Sequence, residues 1–360
     1  MPVRKHSPLG LAGKIASRFL FTLFAFLLLV AAALLAGIWV LVRGPSPAAQ
    51  RMFVLTVKET DNLGFLADIY LSDDEIDNIM TFPSPKSGFI KTDTSRITIP
   101  ADKPAGTDGG ADNGGKNGKN TALSPEALPD EADNTADLEL TEVTGAGYRG
   151  FMLIVKDPSR LFIGTPANIG ESGITLMDLV ERTGAVAGVN AGWFYDSKGT
   201  ATSGRPDGIV ICDGLLKWGA VSGITNVIGF DANGVLHTGM MTPLEAVDLG
   251  LQWAVSCGPT LISNGIPLGY MIGSGGLNAR TAIGQRADGT VLLLVIDGRQ
   301  IHSQGATYND LIDILLDFGA VNAANLTGGP SSLMVINGEI VNSCASVFGP
   351  LPLPTAFLIR

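Results

Sequence analysis

Three places in the sequence carry side chains whose type and spacing could act on a ligand. The apolar run "TVLLLVID" ends in Asp297, Gly298 and Arg299, with Arg280 in the strand expected before it. Two arginines near one carboxylate suit an anionic substrate, because guanidinium forks grip phosphate through paired hydrogen bonds. An ion pair in a surface turn is the plainer alternative for Asp297 and Arg299. Asn190 and Asn325 each stand six residues after the glycine of a Gly-Ala-Val and are followed by glycines. Their spacing suggests two strand ends beside one cleft, against the bland reading of two helix–strand units alike by chance. The third place is "NLTGGPSS", where Gly328 and Gly329 permit close backbone approach and Ser331 offers a hydroxyl. Thr327 precedes these glycines, and no ionisable side chain lies between Asp317 and Glu339.

Other chemistry is poorly supported. The three cysteines and three histidines are scattered, with no C-x-x-C pair, so a Cys/His metal site finds no support. Neither a metal nor a cofactor is expected. "GAGYRG" has the letters of a dinucleotide fingerprint, but that motif needs a strand before and a helix after. Here a tether is expected before it and the strand "FMLIVKD" after it. A serine hydrolase lacks G-x-S-x-G. The net charge is −10, and residues 101–142 hold ten acidic residues against three lysines, about −7 of that total. Without a basic patch, nucleic-acid binding is set aside.

The positioning elements follow from periodicity. "TLMDLVERTG" and "TYNDLIDILLDFG" each begin with a capping pattern (Thr175 with Asp178, Thr307 with Asp310), carry apolar residues at helical spacing, and stop at glycine. Asp213-Gly214, Asn233-Gly234, Asn264-Gly265 and Asp288-Gly289 are hairpin turns. "TVLLLVID" is apolar at consecutive positions, as for a central strand covered on both faces. The fold class expected is mixed α/β (α+β), a central mixed sheet with flanking helices, preceded by one transmembrane helix. Phe19 to Val42 runs 24 residues without a charge, about 36 Å as a helix and enough to span a bilayer. Basic residues before it place residues 1–18 in the cytoplasm and the rest outside the cell membrane. Residues 43–82 read as a short membrane-proximal segment, with "RMFVLTVKET" as a strand and "LSDDEIDNIM" as a helix. Residues 83–144 read as a disordered acidic linker, and 145–360 as the functional domain.

The ordered blocks "VNAGWFYD", "GRPDGIVI", "SCGPTLISNG", "ARTAIGQRADGTVLLLVIDGR", "SQGATYNDL" and "GAVNAANLTGGPSSLMVINGEIVN" resemble the phosphodiester glycosidases of the uncovering-enzyme type, including their membrane-anchored bacterial branch. The resemblance implies hydrolysis of a sugar joined through its anomeric carbon to a phosphate, in envelope or exopolysaccharide glycans. It implies Asp297, Asn190, Asp196 and the Thr327 position as catalytic. Arg280, Arg299, Asp207, Ser303, Thr307, Asn325, Gly328, Gly329 and Ser331 are implied in substrate binding. The family's loop typically reads Asn-Leu-Asp-Gly-Gly, so Thr327 replaces an aspartate; Pro330 and Ala191 are further departures. The expected partner is a phospho-sugar or glycopolymer. A chain that binds such a glycan without cleaving it is the alternative. On volume alone, Thr327→Asp should be accepted.

Protease added to intact cells lacking an outer barrier should release a soluble C-terminal fragment. Full protection of that domain would contradict the assigned topology.

Overall fold

The computed structural model describes residues 8–58, 63–80, 91–100, 137–195, 204–268, 275–346 and 348–360. The chain divides into two compact units. One is Met1–Pro83 with Met271–Gly276, the other Ser84–Tyr270 with Leu277–Arg360.

The first unit begins with a helix, Pro8–Arg43. Its Ala16–Arg43 portion is long and apolar enough to cross a membrane by length and composition. Three shorter helices follow, Pro47–Lys58, Phe65–Asp68 and Asp73–Met80. The strand expected at "RMFVLTVKET" is therefore a helix over its described residues, 51–58. Pro47 pre-sets its first turn, and Val54 and Val57, three apart, bury together with Val42, Ala67, Leu71 and Ile76. Packing of that face overrides the strand preference of Val and Thr. Arg43 closes the cluster by donating to the Glu75 carboxylate at 2.7 Å and to the Tyr70 carbonyl at 2.6 Å.

The second unit is built on three sheets in which every paired register is antiparallel. The α+β class holds, and the expected central sheet contains no parallel pair. In that seven-stranded sheet the order is Leu138–Gly145, Tyr148–Val155, Val291–Ile296, Arg280–Arg286, Ala320–Leu326, Thr260–Ser263 and Ile266–Pro267. Val291–Ile296 is fully buried along its length. Its residues alternate between two cores. Leu292, Leu294 and Ile296 meet Leu311, Ile312, Ile314 and Leu315 of the helix Tyr308–Asp317. Val291, Leu293 and Val295 face the strands of two five-stranded sheets. One of these contains Ala187–Asn190, Met334–Ile336 and Ala356–Ile359; the other contains Val210–Cys212, Thr225–Asp231 and Leu251–Ser256. The helix Leu176–Thr183 covers the outer side of the first, burying Leu176, Leu179 and Val180 with Val335 and Leu358.

The local signals translate directly. Thr175 and Thr307 cap their helices and Gly184 ends the first in the left-handed conformation. All four hairpin turns form. "GAGYRG" differs from expectation: a strand precedes it and the motif is the hairpin joining Leu138–Gly145 to Tyr148–Val155. The linker assigned to 83–144 also loses both flanks. Residues 138–144 form a sheet-edge strand. Near its start, Asp93 and Thr98 donate backbone hydrogen bonds to Asn264 and Ala287, and Ile97 is buried. The middle of that linker, 101–136, lies outside the described residues. All three cysteines are free.

Because Leu293 is wholly buried between sheets, Leu293→Ala should lower unfolding stability by about 2–5 kcal/mol, read by urea denaturation. An effect below about 1 kcal/mol would mean that this strand is not the centre of the core.

Candidate active site

Antiparallel pairing gathers the site at one end of the seven-stranded sheet. Arg280, the first residue of its strand, pairs with Ile296, the last residue before Asp297. Thr281 pairs with Leu326, the last residue before Thr327. Asp297 and Thr327 therefore leave the sheet at the same edge, with Arg280 between them.

Asn190 ties this edge to the adjacent sheet. Its Oδ1 accepts from Thr281 Oγ1 at 2.8 Å and from the Leu333 amide at 3.0 Å, and its Nδ2 donates to the Thr327 carbonyl. The side chain is fully buried. Asn325 lies on the helix-side face of its strand. Its Nδ2 donates to the carbonyls of Gly258 and Leu326 at 3.0 and 2.7 Å. Both asparagines thus hold backbone carbonyls of the 326–327 segment or its neighbour, which is a scaffold arrangement.

Asp297 is 1 % exposed and both carboxylate oxygens are engaged. Oδ1 accepts from the Ser343 amide at 2.8 Å and from Asn342 Nδ2 at 3.2 Å. Oδ2 lies 3.2 Å from His302 Nε2. When Asp297 is ionised it can only accept, so Nε2 is then the donor of this contact and a neutral ring presents the Nδ1 lone pair. His302 is 42 % exposed. The buried acid thus orients an accessible imidazole, the relation by which a carboxylate prepares a histidine for proton transfer. Ser343 Oγ is 3.5 Å from the same Nε2, which is not the opposite-side geometry of a nucleophilic triad.

The turn that carries His302 also carries Arg299. Arg299 sits at φ 58°, a left-handed conformation that costs a non-glycine residue on the order of 1 kcal/mol and concentrates at functional sites. Gly298 is required beside it, since a Cβ there would lie 2.2 Å from the Ala279 amide nitrogen. Across the gap, Gly329 has φ 65°, and a Cβ on it would come within 3.4 Å of Arg299 Nη2. The structure thus brings Asp297, Arg299, Gly328 and Gly329 together, with Ser331 buried in the short turn Gly329–Ser331.

Other expected site residues are occupied elsewhere. Arg280 is 3 % exposed, donates from Nε to the Ala306 carbonyl at 3.1 Å, and stacks over Tyr308 at 4.4 Å. Ser303 donates to the Asp297 carbonyl and accepts from the Arg149 amide, fastening the turn. Thr307 is the helix cap, exchanging hydrogen bonds with Asp310. Asp207 faces a neighbouring cavity, and Asp196 lies outside the described residues. Among the described residues, no cluster of three or more His, Cys, Asp or Glu could hold a metal.

Thr327 answers the question raised by its place before the glycines. Its hydroxyl donates to the Gly192 carbonyl, and its amide donates to the Ala191 carbonyl at 3.0 Å. Cys257 Sγ lies 3.9 Å from the hydroxyl, and burial pushes that thiol up to about 12. A carboxylate placed here would confront a carbonyl oxygen in a partly dry site, so volume alone misjudges the exchange. His302 was missed because it stands five positions after Asp297 without any recognised motif; the only signal is that the turn between them must double back.

Residues 183–360 match the phosphodiester glycosidase family. The chain is 38 % identical over 66 residues to bovine (Bos taurus) N-acetylglucosamine-1-phosphodiester alpha-N-acetylglucosaminidase, a stretch covering 18 % of this chain and 12 % of that protein. It is 42 % identical over 64 residues to the SPbeta prophage-derived uncharacterized protein YomE of Bacillus subtilis (strain 168), covering 18 % of this chain and 10 % of that one. These matches span only about a tenth of the curated relatives' length. The fold is shared with the zebrafish N-acetylglucosamine-1-phosphodiester alpha-N-acetylglucosaminidase catalytic domain auto-inhibited by pro-peptide, with a TM-score of 0.54 and 20 % identity over 64 % of this chain and 85 % of that one.

Thr327→Asp should carry an acid whose pKa is raised by the Gly192 carbonyl and by desolvation. The folded state then holds a proton that the unfolded state releases, so stability relative to the parent chain falls as pH rises from about 4 toward neutrality. Denaturation curves across that range check the sign. A variant equally stable relative to the parent throughout would show that the new carboxylate turns away from Gly192.

Proposed function

The chain belongs to the phosphodiester glycosidase family through residues 183–360, and on that premise we propose that it hydrolyses a sugar-1-phosphodiester in envelope or exopolysaccharide glycans. The observation that carries this reading is one turn presenting both Arg299 and an imidazole oriented by a buried acid, opposite the glycines of the 328–329 loop. In this reading the Arg299 guanidinium receives the phosphate, whose negative charge grows as the anomeric C–O bond breaks. Nδ1 of His302 takes a proton from water, the water oxygen bonds to the anomeric carbon, and the phosphate leaves as a monoester on its acceptor. A phosphate needs less protonation on leaving than a sugar hydroxyl does, so the usual second carboxylate has less to do. Asp297 acts through His302 and is a positioning residue.

The apolar helix Ala16–Arg43 supports membrane attachment, and Arg4, Lys5, Lys14 and Arg18 before it support a cytoplasmic N-terminus with the domain outside. A second reading, glycan binding without cleavage, is favoured by one feature. The Thr327 hydroxyl, at the position of the family's aspartate, is committed to Gly192 and supplies no acid.

His302→Gln should lower kcat on a sugar-1-phosphate methyl diester by about 10²–10⁴-fold while leaving KM little changed. Asp297→Asn should lower kcat and alter its pH dependence. An inert parent chain that still binds the diester supports the binding reading. A His302→Gln rate equal to the parent's removes the base assignment.

A further inference from the structure

Next to the loop lies a cavity of 680 Å³ lined by Tyr195, Arg205, Asp207, Lys217, Trp218 and Thr225, among others. We infer that it is a second glycan subsite, taking the adjoining anionic sugar unit of a polymeric substrate. This rests on the glycosidase reading above and names the class of substrate: a chain of phosphate-bearing sugars.

The cavity has the make-up of a sugar site. Its aromatic wall is held rigid. Trp218 donates from Nε1 to the Pro206 carbonyl at 3.1 Å, and its ring packs so closely on Gly170 that a Cβ there would lie 2.2 Å away. Tyr195 is half exposed and lies under the Arg205 guanidinium at 5.2 Å. Asp207 accepts from the Tyr195 hydroxyl. That bond, with the carboxylate's charge, raises the phenol above its usual range, against a smaller opposing effect of Arg205. Fixed aromatic faces with a few convergent polar groups describe ligand pockets in general; aromatic rings with polar tips suit ligands that are apolar on one face and hydroxylated at the edge. Two cations against one carboxylate leave a positive balance, which favours an anionic unit.

Continuity points the same way. Asp207 donates its amide to the Trp193 carbonyl at 2.8 Å, and the preceding carbonyl, Gly192, accepts from Thr327. The cavity wall is therefore joined to the glycine loop through adjacent backbone groups. The volume lies within the roughly 300–1,000 Å³ of small-ligand sites, which is room for a sugar unit. Binding energy gathered there can be used at the reacting bond.

The test uses the full chain in detergent with two probes: a sugar-1-phosphate methyl diester, and a short oligomer of the same unit joined by phosphodiesters. The oligomer should be preferred in kcat/KM by about tenfold, the value of one charge-assisted hydrogen bond. Arg205→Ala combined with Lys217→Ala, both on exposed side chains, should bring that ratio close to one. Equal kinetics for both probes in the parent chain, or a double variant that depresses both equally, overturns the subsite. If neither probe is cleaved, the hydrolase reading fails separately, and tryptophan quenching decides the subsite. Quenching by the oligomer that the double variant abolishes supports it; equal binding of oligomer and single unit overturns it. Polyphosphate binding as tightly as the oligomer overturns the sugar assignment.

Discussion

An uncharged amide ties together the end of the seven-stranded sheet at which Asp297 and Thr327 leave it. Asn190 is sealed from solvent and satisfies Thr281, Leu333 and Thr327 at once, joining two sheets and one loop. Only a side chain that both donates and accepts can do this. Aspartate would lack the donor and bury a charge, whereas an apolar residue would strand a buried amide and carbonyl at about 1–3 kcal/mol apiece. The loop it anchors needs no ionisable group for its own shape, and the stretch from Phe318 to Gly338 contains none.

Charge arrives instead from the turn after Val291–Ile296, where geometry is costly. Arg299 adopts a backbone conformation that suits glycine better, Gly298 admits no Cβ, and Asp297 is buried among hydrogen-bond donors. A mobile turn would have to be ordered each time it positioned a guanidinium. The strained turn carries a cation and an imidazole three residues apart in sequence, at the end of a buried strand.

Much of this was legible in the sequence, for physical reasons that differ by residue. Capping threonines, Asn-Gly and Asp-Gly turns, and the continuous apolar run at Val291–Ile296 act locally, so their meaning survives without knowledge of the fold. The family's ordered blocks made the phosphodiester glycosidase resemblance readable. Distant pairing was not legible. His302 becomes meaningful only when its turn folds back on Asp297, and Ser303 and Thr307 look like ligands until the turn and the helix cap claim their hydroxyls. "RMFVLTVKET" misled because β-branched residues favour strands until Val54 and Val57 find a helical partner surface. Thr327 looked like a simple replacement by size, but the Gly192 carbonyl it faces is set by a sheet more than a hundred residues away in sequence.

The strand Ala356–Ile359 runs between Leu161–Gly164 and Ala187–Asn190, paired to both. A nascent chain therefore makes the two flanking strands well before the strand that joins them. Local hairpins close at once, but this sheet waits for almost the whole domain. That is the regime in which loop closure over long separations slows folding and unpaired edges stay open to wrong partners. The strand that bears Asn190 is one of those two, but it also pairs with Met334–Ile336, so its last missing neighbour is the final strand alone.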